Sequence, residues 1–103
     1  MKYSGGAIGE TPLHIASRIE ESRGEKCTKM LLKSGADTNL AMSDGKTPLH
    51  ISAESGTIAV LKHLLANGAN PLQTDNKGET ALHKACRRCH QPVVKELINH
   101  VIR

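Results

Sequence analysis

The chain has 103 residues, which fits one small domain, and its 38% of hydrophobic and 23% of charged residues are an ordinary balance. Tyr3 is its only aromatic residue, so any core must be aliphatic, and the chain lacks an aromatic platform for stacking nucleic-acid bases. A net charge of +4 is too mild to indicate nucleic-acid binding, and we predict none.

The cysteines and the apolar runs bear on the cellular setting. The cysteines are three, an odd number, and the opening residues lack the apolar stretch of a secretory signal, so a disulfide framework is not expected. The apolar runs are only a few residues long, too short to span a membrane. We therefore expect a reducing, cytoplasmic setting and no membrane contact within this segment.

The first predicted helices follow a short, glycine-rich opening. We expect residues 1–8 to form a flexible N-terminal segment. Thr11 then stands where a helix N-cap is favoured, and Pro12 stands at the first helical position, where proline costs little. A second helix carries Leu31 and is predicted to stop at Gly35.

The same elements return in a second unit. Thr47 repeats Thr11 after 36 residues, and the three residues beyond the usual period of 33 fall between Arg18 and Glu25. Gly56 permits a turn between two short helices. The second of these helices carries an apolar stripe formed by Val60, Leu61, Leu64 and Leu65.

A third copy follows, in which His83 repeats His50 after 33 residues. Its second helix is expected to run further than in the unit before, because Val101 occupies the position where Gly68 stops the earlier helix. The connections between units are rich in turn-forming residues and are predicted to be extended and hairpin-like, over residues 37–44 and 70–77.

Two helices of about ten residues are too short to be stable alone, so each pair needs a neighbour against which to bury its apolar stripe. Repetition at a fixed interval predicts a row of such pairs rather than a compact bundle. We therefore predict an all-α solenoid of three helix–loop–helix units, comprising residues 9–44, 45–77 and 78–103 of a domain that spans 9–103.

The repeated strings resemble the ankyrin repeat, in which Gly-x-Thr-Pro-Leu-His-x-Ala precedes Leu-Leu-x-x-Gly-Ala. The resemblance covers residues 9 to about 100 and implies right-handed stacking and a non-enzymatic, protein-binding scaffold. It also implies that the repeated histidines hydrogen-bond to backbone and link adjacent units. The motif positions are Thr11, Pro12, Leu13, His14, Thr47, Pro48, Leu49, His50, Thr80, Leu82 and His83.

Two unusual features resemble the long ankyrin array of TRPN-type (NOMPC) mechanosensory channels. One is the enlarged first unit around residues 24–36, and the other is the Cys-Arg-Arg-Cys-His string within residues 78–90, two units later. This resemblance implies a piece of the cytoplasmic array of an ion channel. A stand-alone adaptor or inhibitor that binds a partner protein through its concave face is the alternative.

No catalytic motif is present: the chain has no phosphate-binding glycine loop, no nucleophile elbow and no His-Glu-x-x-His string, and we predict no enzyme activity. His83, Cys86, Cys89 and His90 have a spacing that can hold zinc. We favour a structural interpretation, since His83 belongs to the repeat, Cys86 replaces the small packed Ala53, and Cys89 replaces Gly56 at the turn. We therefore predict no metal and no cofactor, and a redox- or metal-responsive use of Cys86 and Cys89 stays a third alternative.

Recognition of a protein partner is expected on the first helices and the hairpin tips. In ankyrin proteins the site held by Ile15, Ile51 and Lys84 faces the concave surface, so we expect an exposed apolar-to-basic track. Ile19 extends it unless the inserted residues bend the helix away, and the basic third unit is either a solvated face or a docking patch for an acidic partner. The expected partner-binding residues are Ile15, Arg18, Ile19, Leu40, Met42, Ile51, Glu54, Asp75, Lys77, Lys84, Arg87 and Arg88.

Overall fold

A computed structural model describes residues 9–101, and the predicted N-terminal segment 1–8 lies outside these described residues. Their secondary structure is entirely helical, and none of the helices within 9–101 is long and apolar enough to cross a membrane. The six helices are α1 (Pro12–Ala16), α2 (Glu21–Lys33), α3 (Pro48–Ser55), α4 (Ile58–Ala66), α5 (Ala81–Arg88) and α6 (Gln91–Val101).

The helices form three pairs that line up in a row. Within each unit the first helix packs on the second, and α3 lies between α1 and α5 while α4 lies between α2 and α6. The first helices therefore make one layer and the second helices another, in a body of 41 × 30 × 22 Å. The predicted all-α solenoid is confirmed. We keep the names unit 1, unit 2 and unit 3 for residues 9–44, 45–77 and 78 onward.

The first helices start where the Thr-Pro strings predict. The Thr11 hydroxyl accepts the amide of His14 at 3.3 Å, and the Thr47 hydroxyl accepts the amide of His50 at 3.4 Å. These bonds satisfy amides that have no partner inside the helix, and the prolines that follow have no amide hydrogen to satisfy. The sequence therefore determines both helix starts locally.

The core lies between the two helix layers and is continuous along the row. Leu64 is fully buried and Leu65 is 8% exposed, as the apolar stripe predicts. The largest fully buried aliphatic side chains come from all three units: Leu13, Leu49, Val60, Leu61, Leu64, Val93 and Leu97. Burial of this shared aliphatic surface is the main force that holds the units together.

Unit 1 differs from the others because of its inserted residues. Helix α1 has five residues where α3 has eight, and α2 has 13 where α4 has nine. Gly24 lies buried in the extra turn of α2, and a β-carbon there would stand 2.6 Å from the carbonyl oxygen of Ala16. Ile19 falls beyond the end of α1 and is half-buried, so the insertion does interrupt the first helix.

The turn between the helices of a unit has a left-handed residue. Gly56 has φ of +77°, and a β-carbon there would lie 2.8 Å from the ring of His90. Cys89 occupies the same position in unit 3 with φ of +58°, the one positive value at a non-glycine residue within 9–101. A left-handed conformation costs a non-glycine residue about 1–2 kcal/mol.

The connections are hairpin-like, as predicted. The amide of Met42 donates to the Lys46 carbonyl at 2.9 Å, and the amide of Asp75 donates to the Glu79 carbonyl at 2.9 Å. Successive tips are joined where the amide of Asn76 donates to the carbonyl of Asp44 at 3.0 Å. The loops therefore stack in register with the helices.

Helix α6 runs through Val101, two residues past the equivalent of the last residue of α4. The predicted continuation of this helix is confirmed.

Candidate interaction surfaces

The repeated histidines link one unit to the next. The amide of Thr11 donates to Nδ1 of His14 at 3.1 Å, so the ring proton sits on Nε2, which donates to the carbonyl of Lys46 at 3.0 Å. His50 repeats this arrangement with Thr47 at 3.1 Å and with the carbonyl of Glu79 at 2.9 Å. The structural role that the ankyrin resemblance implies for these two histidines is confirmed.

His83 makes only half of this connection. The amide of Thr80 donates to its Nδ1 at 2.9 Å, but its Nε2 has no acceptor within the described part of the chain, and the ring is exposed. Burial lowers the pKa of the His14 and His50 rings, which keeps them neutral for their two bonds. The Nε2–H of His83 is thus the same hydrogen-bond donor as in units 1 and 2, but it has no acceptor within residues 9–101.

The side chains around His83 form a surface that we call the C-terminal end face. It consists of Leu82, His83, Cys86, Val94, Ile98 and Val101. The equivalents of the first five, 33 residues earlier, are buried: Leu49 at 1%, His50 at 1%, Ala53 at 0%, Leu61 at 0% and Leu65 at 8% exposure. In unit 3 the same positions are more open: Leu82 and Val94 are half-buried, His83 and Cys86 are exposed, and Ile98 is 38% exposed. Val101 extends this surface with 39% exposure. The last unit therefore carries a stacking surface that the described residues cover only in part.

The expected packing of Cys86 is wrong for this reason. Its thiol is exposed, although Ala53 at the equivalent position of unit 2 is fully buried. The position faces the following unit, and the described chain has none after unit 3. Cys89 is exposed as well.

The zinc spacing does not become a metal site within residues 9–101, where no group of three or more histidine, cysteine, aspartate or glutamate side chains converges. His83 Nδ1 accepts the Thr80 amide, and His90 Nε2 donates to the Glu54 carbonyl at 2.9 Å. One nitrogen of each ring is therefore already engaged in the fold.

Four of the expected partner-binding residues are buried, so the predicted exposed track is wrong at these positions. Ile51 is 7% exposed and Lys84 is 3% exposed, because the helix site that they share with Ile15 faces the preceding unit. Met42 is 8% exposed and Asp75 is 7% exposed, because each lies at a hairpin tip where it meets the next unit. Their side chains stabilise junctions and are not available to a partner.

The junction between units 2 and 3 is built around an ion network. Lys84 Nζ lies 2.6 Å from Asp75 Oδ2 and 2.9 Å from Glu79 Oε1, and Arg87 Nη1 donates to Glu79 Oε1 at 3.0 Å. Burial alone would raise the pKa of Asp75, but the Lys84 ammonium and two backbone amides hold it well below its usual range. Hydrogen bonds from Arg87 and Lys84 lower the pKa of Glu79 to about 2.

Sequence reasoning missed this network, although the repeat contained its signal. Met42 and Ile51 stand 33 residues before Asp75 and Lys84 and are also buried. The junction between units 1 and 2 therefore has two apolar side chains where the next junction has an ion pair. A paired change of this kind at equivalent positions indicates that the two sites meet.

The other expected residues remain accessible. Ile15 is 42% and Leu40 48% exposed, whereas Ile19 and Glu54 are half-buried. Arg18 pairs with Glu10, and Glu54 accepts from Lys46 Nζ at 3.2 Å. The exposed members of the set are Ile15, Arg18, Leu40, Lys77, Arg87 and Arg88.

Comparison with known proteins agrees with this architecture. The family model for ankyrin repeats (3 copies) matches residues 3–75 and 53–103. Inversin of Gallus gallus is 35% identical over 97 residues, which cover 91% of this chain and 8% of inversin. A Caenorhabditis elegans homologue of transient receptor potential cation channel subfamily A member 1 is 33% identical over 88% of this chain and 7% of its own length.

Neurogenic locus notch homolog protein 1 of Danio rerio is 38% identical over 92 residues, 88% of this chain and 4% of that protein. The chain thus spans less than a tenth of the length of these three relatives. The similarity between this chain and the three relatives is therefore a similarity of the repeat and not of the whole proteins. The chain belongs to the ankyrin-repeat family, which is generally a non-catalytic protein-interaction module.

Proposed function

We propose that this chain is a non-enzymatic interaction and tethering module that stacks within a longer, cytoplasmic ankyrin array. The C-terminal end face carries the proposal. Five of its six side chains are the equivalents of residues that are almost fully buried one unit earlier, and His83 offers the donor that links units elsewhere in the row. Such a surface is complementary to the face that a following ankyrin unit would present to unit 3.

The finer proposal is that this array belongs to a TRPN-like mechanosensory channel. Its support is the enlarged unit 1 with the Cys-Arg-Arg-Cys-His string two units later, together with a nematode channel homologue among the similar proteins. In such an array many small junctions bend in series, so a displacement is shared among them. Notch and inversin relatives match equally well, so the proposal depends on those two features.

The transcript from which the chain is translated tests both levels of this proposal. We expect its reading frame to encode further ankyrin units on both sides of the segment, followed by six apolar membrane spans. Further ankyrin units without such spans would overturn the channel proposal and support the array proposal. A reading frame that ends at Arg103 would overturn the array and support the stand-alone adaptor.

A matched pair of substitutions tests the end face physically. Leu65→Ala removes a buried side chain from the junction of units 2 and 3 and should cost about 2–4 kcal/mol of unfolding free energy. Ile98→Ala is the equivalent change in unit 3 and should cost less than about 1 kcal/mol in the chain as it stands, since Ile98 is half-exposed. In the longer natural protein the two costs should become similar, as measured by urea denaturation. A persistent difference there would count against stacking on this face.

The adaptor alternative has its own support in the exposed apolar side chains of Ile15 and Leu40. Ile51 is buried, so an Ile15→Glu, Leu40→Glu double variant tests this surface without disturbing a junction. If the double variant keeps its fold but no longer binds a purified partner protein in a pull-down, the adaptor alternative is favoured. Unchanged binding would remove this surface from consideration.

A further inference from the structure

A basic groove lies on the layer formed by the second helices of the units. It includes no residue of the C-terminal end face or of the hairpin tips. It runs between α2 and α4, has a volume of about 580 Å³, and is lined chiefly by Lys26, Lys29, Met30, Leu32, Lys33 and His63. The three lysines stand at i, i+3 and i+7 of α2, a spacing that places them along one side of the helix. Sequence reasoning about first helices and loop tips did not consider this surface.

The groove carries positive charge that the described fold does not neutralise. Lys26, Lys29 and Lys33 are exposed, and none of them forms an ion pair with another residue in the range 9–101. The carboxylate of Glu25 lies near the groove: the hydrogen bond from His63 Nε2 to its Oε2 at 3.0 Å and, to a smaller extent, the charge of Lys29 lower its pKa. Glu25 therefore offsets only part of the charge of the three lysines. The second half of α2, residues 26–33, contains three lysines and no acidic residue.

The groove is also apolar between its charges. Met30 is 70% exposed, the largest exposed fraction among the large hydrophobic side chains of the described chain, and the half-buried Leu32 forms part of the lining. A flexible, exposed thioether among lysines is suited to contact with an apolar side chain of a partner. The equivalent positions in units 2 and 3 hold His63 and Glu96, so this combination does not recur along the row.

We propose that this groove binds an acidic peptide segment of a partner protein, in which carboxylates flank an apolar side chain. Lys26 and Lys33 are about 10 Å apart along the helix axis at 1.5 Å per residue. In an extended peptide, residues i and i+4 point to the same side about 13 Å apart, within reach of two flexible lysines, and residue i+2 lies between them over Met30. The lysine charges and the apolar contact with Met30 therefore favour the same ligand, a peptide with an apolar residue between two carboxylates.

The shape of the surface favours a peptide over a lipid surface. The half-buried Leu32 lies between two helices, so a flat bilayer would reach the lysine ammonium groups and Met30 but little of Leu32. A single-stranded nucleic acid would find no aromatic side chain to stack on, since Tyr3 is the only aromatic residue in the chain. The groove does not include the end-face residues, so this site does not depend on stacking at the C-terminal end face.

Backbone-amide NMR of the ¹⁵N-labelled chain tests this proposal. The probe is a seven-residue peptide with glutamate, serine, leucine, serine, glutamate, glutamate and serine in that order. Saturable shifts are expected in residues 26–33 and around His63. A Lys26→Gln, Lys29→Gln, Lys33→Gln variant should bind at least about tenfold more weakly, because several exposed ion pairs are lost together.

The matched control is a Lys62→Gln, Lys77→Gln, Lys95→Gln variant, which removes the same charge from exposed lysines outside the groove and should bind within about twofold of the parent. Replacing the peptide's leucine with serine, or Met30 with serine, should weaken binding as well. Absence of saturable shifts, or equal weakening by both triple variants, would overturn the proposal. Shifts of residues 26–33 with phosphatidylserine vesicles and not with the peptide would overturn it in favour of a membrane site.

Discussion

At the scale of single residues, the Thr28 hydroxyl is the one buried side-chain polar atom without a hydrogen-bond partner in the described part of the chain. The equivalent positions in units 2 and 3 hold the apolar residues Leu61 and Val94. Thr28→Val keeps the shape of the side chain and removes an unsatisfied polar group. We expect it to raise the free energy of unfolding by about 1 kcal/mol in urea denaturation.

Thr57→Val is the matched control for this prediction. The Thr57 hydroxyl is also buried, but it donates to the Ser17 carbonyl at 2.9 Å. The same chemical change should therefore lower stability by about 1 kcal/mol, since it leaves a buried carbonyl with one bond fewer. Two effects of the same sign would show that hydrogen bonding does not distinguish these positions.

The buried histidines predict how stability depends on pH. Burial holds the pKa of His14 and His50 below the ordinary value of 6.5, so below pH 6.5 the unfolded chain binds more protons than the folded one. Their contribution is fully present above pH 6.5 and is lost as the pH falls towards the lowered folded-state pKa. Protonation of Nδ1 would also abolish its acceptance of the threonine amide.

We expect the urea midpoint to fall between pH 7.5 and pH 5.5. This window lies above the range in which carboxylates matter, since Asp75 and Glu79 have lowered pKa values and lose their contribution only below about pH 4.5. His50→Gln should reduce the pH dependence, because it removes one of the two buried rings whose pKa is lowered. An unchanged slope in the His50 variant would contradict the argument.

At the scale of elements, the two junctions offer a double-mutant test. Lys84→Ile alone leaves the buried Asp75 without its cationic partner and should cost about 3–5 kcal/mol, whereas Asp75→Met alone should cost less, because Lys84 keeps Glu79 at 2.9 Å. The two changes together reproduce the apolar residues of the first junction, Met42 and Ile51, and should restore most of the loss. Chemical denaturation of the four chains measures the coupling. Additive costs would show that the two side chains do not act as a pair.

Helix positions could be predicted from the sequence because their signals are local. Thr11 and Thr47 with the prolines that follow them specify the starts, and Gly56 specifies a turn, whatever the neighbouring units do. The close packing of α2 on the end of α1, where a β-carbon on Gly24 would stand 2.6 Å from the Ala16 carbonyl oxygen, could not be predicted, because it joins two helices. Local chemistry predicts the element, and packing determines its extent.

Exposure could not be predicted in the same way, because it depends on which neighbour a unit has. Ile15, Ile51 and Lys84 share one helix site, yet only Ile15 is accessible, since the other two each follow a unit. Cys86 and Ala53 show the same dependence at the opposite face. Four members of the predicted partner-binding set are therefore buried, and partner binding by the exposed members stays a prediction.

At the scale of the whole molecule, stability is a sum over neighbouring units rather than the property of one centre. Unit 2 packs against a neighbour on both sides, whereas units 1 and 3 each pack against one described unit. The two outer units consequently carry the half-covered apolar side chains, among them Ile15, Ile98 and Val101. The local stability of a helix pair should therefore increase with the number of units that pack against it.

Native-state amide hydrogen exchange, read helix by helix, tests this dependence on neighbours most directly. The account predicts that amides of α3 and α4 exchange slowest and that those of α1 and α6 exchange fastest. Equal protection in all six helices, or slowest exchange in an outer unit, would contradict it.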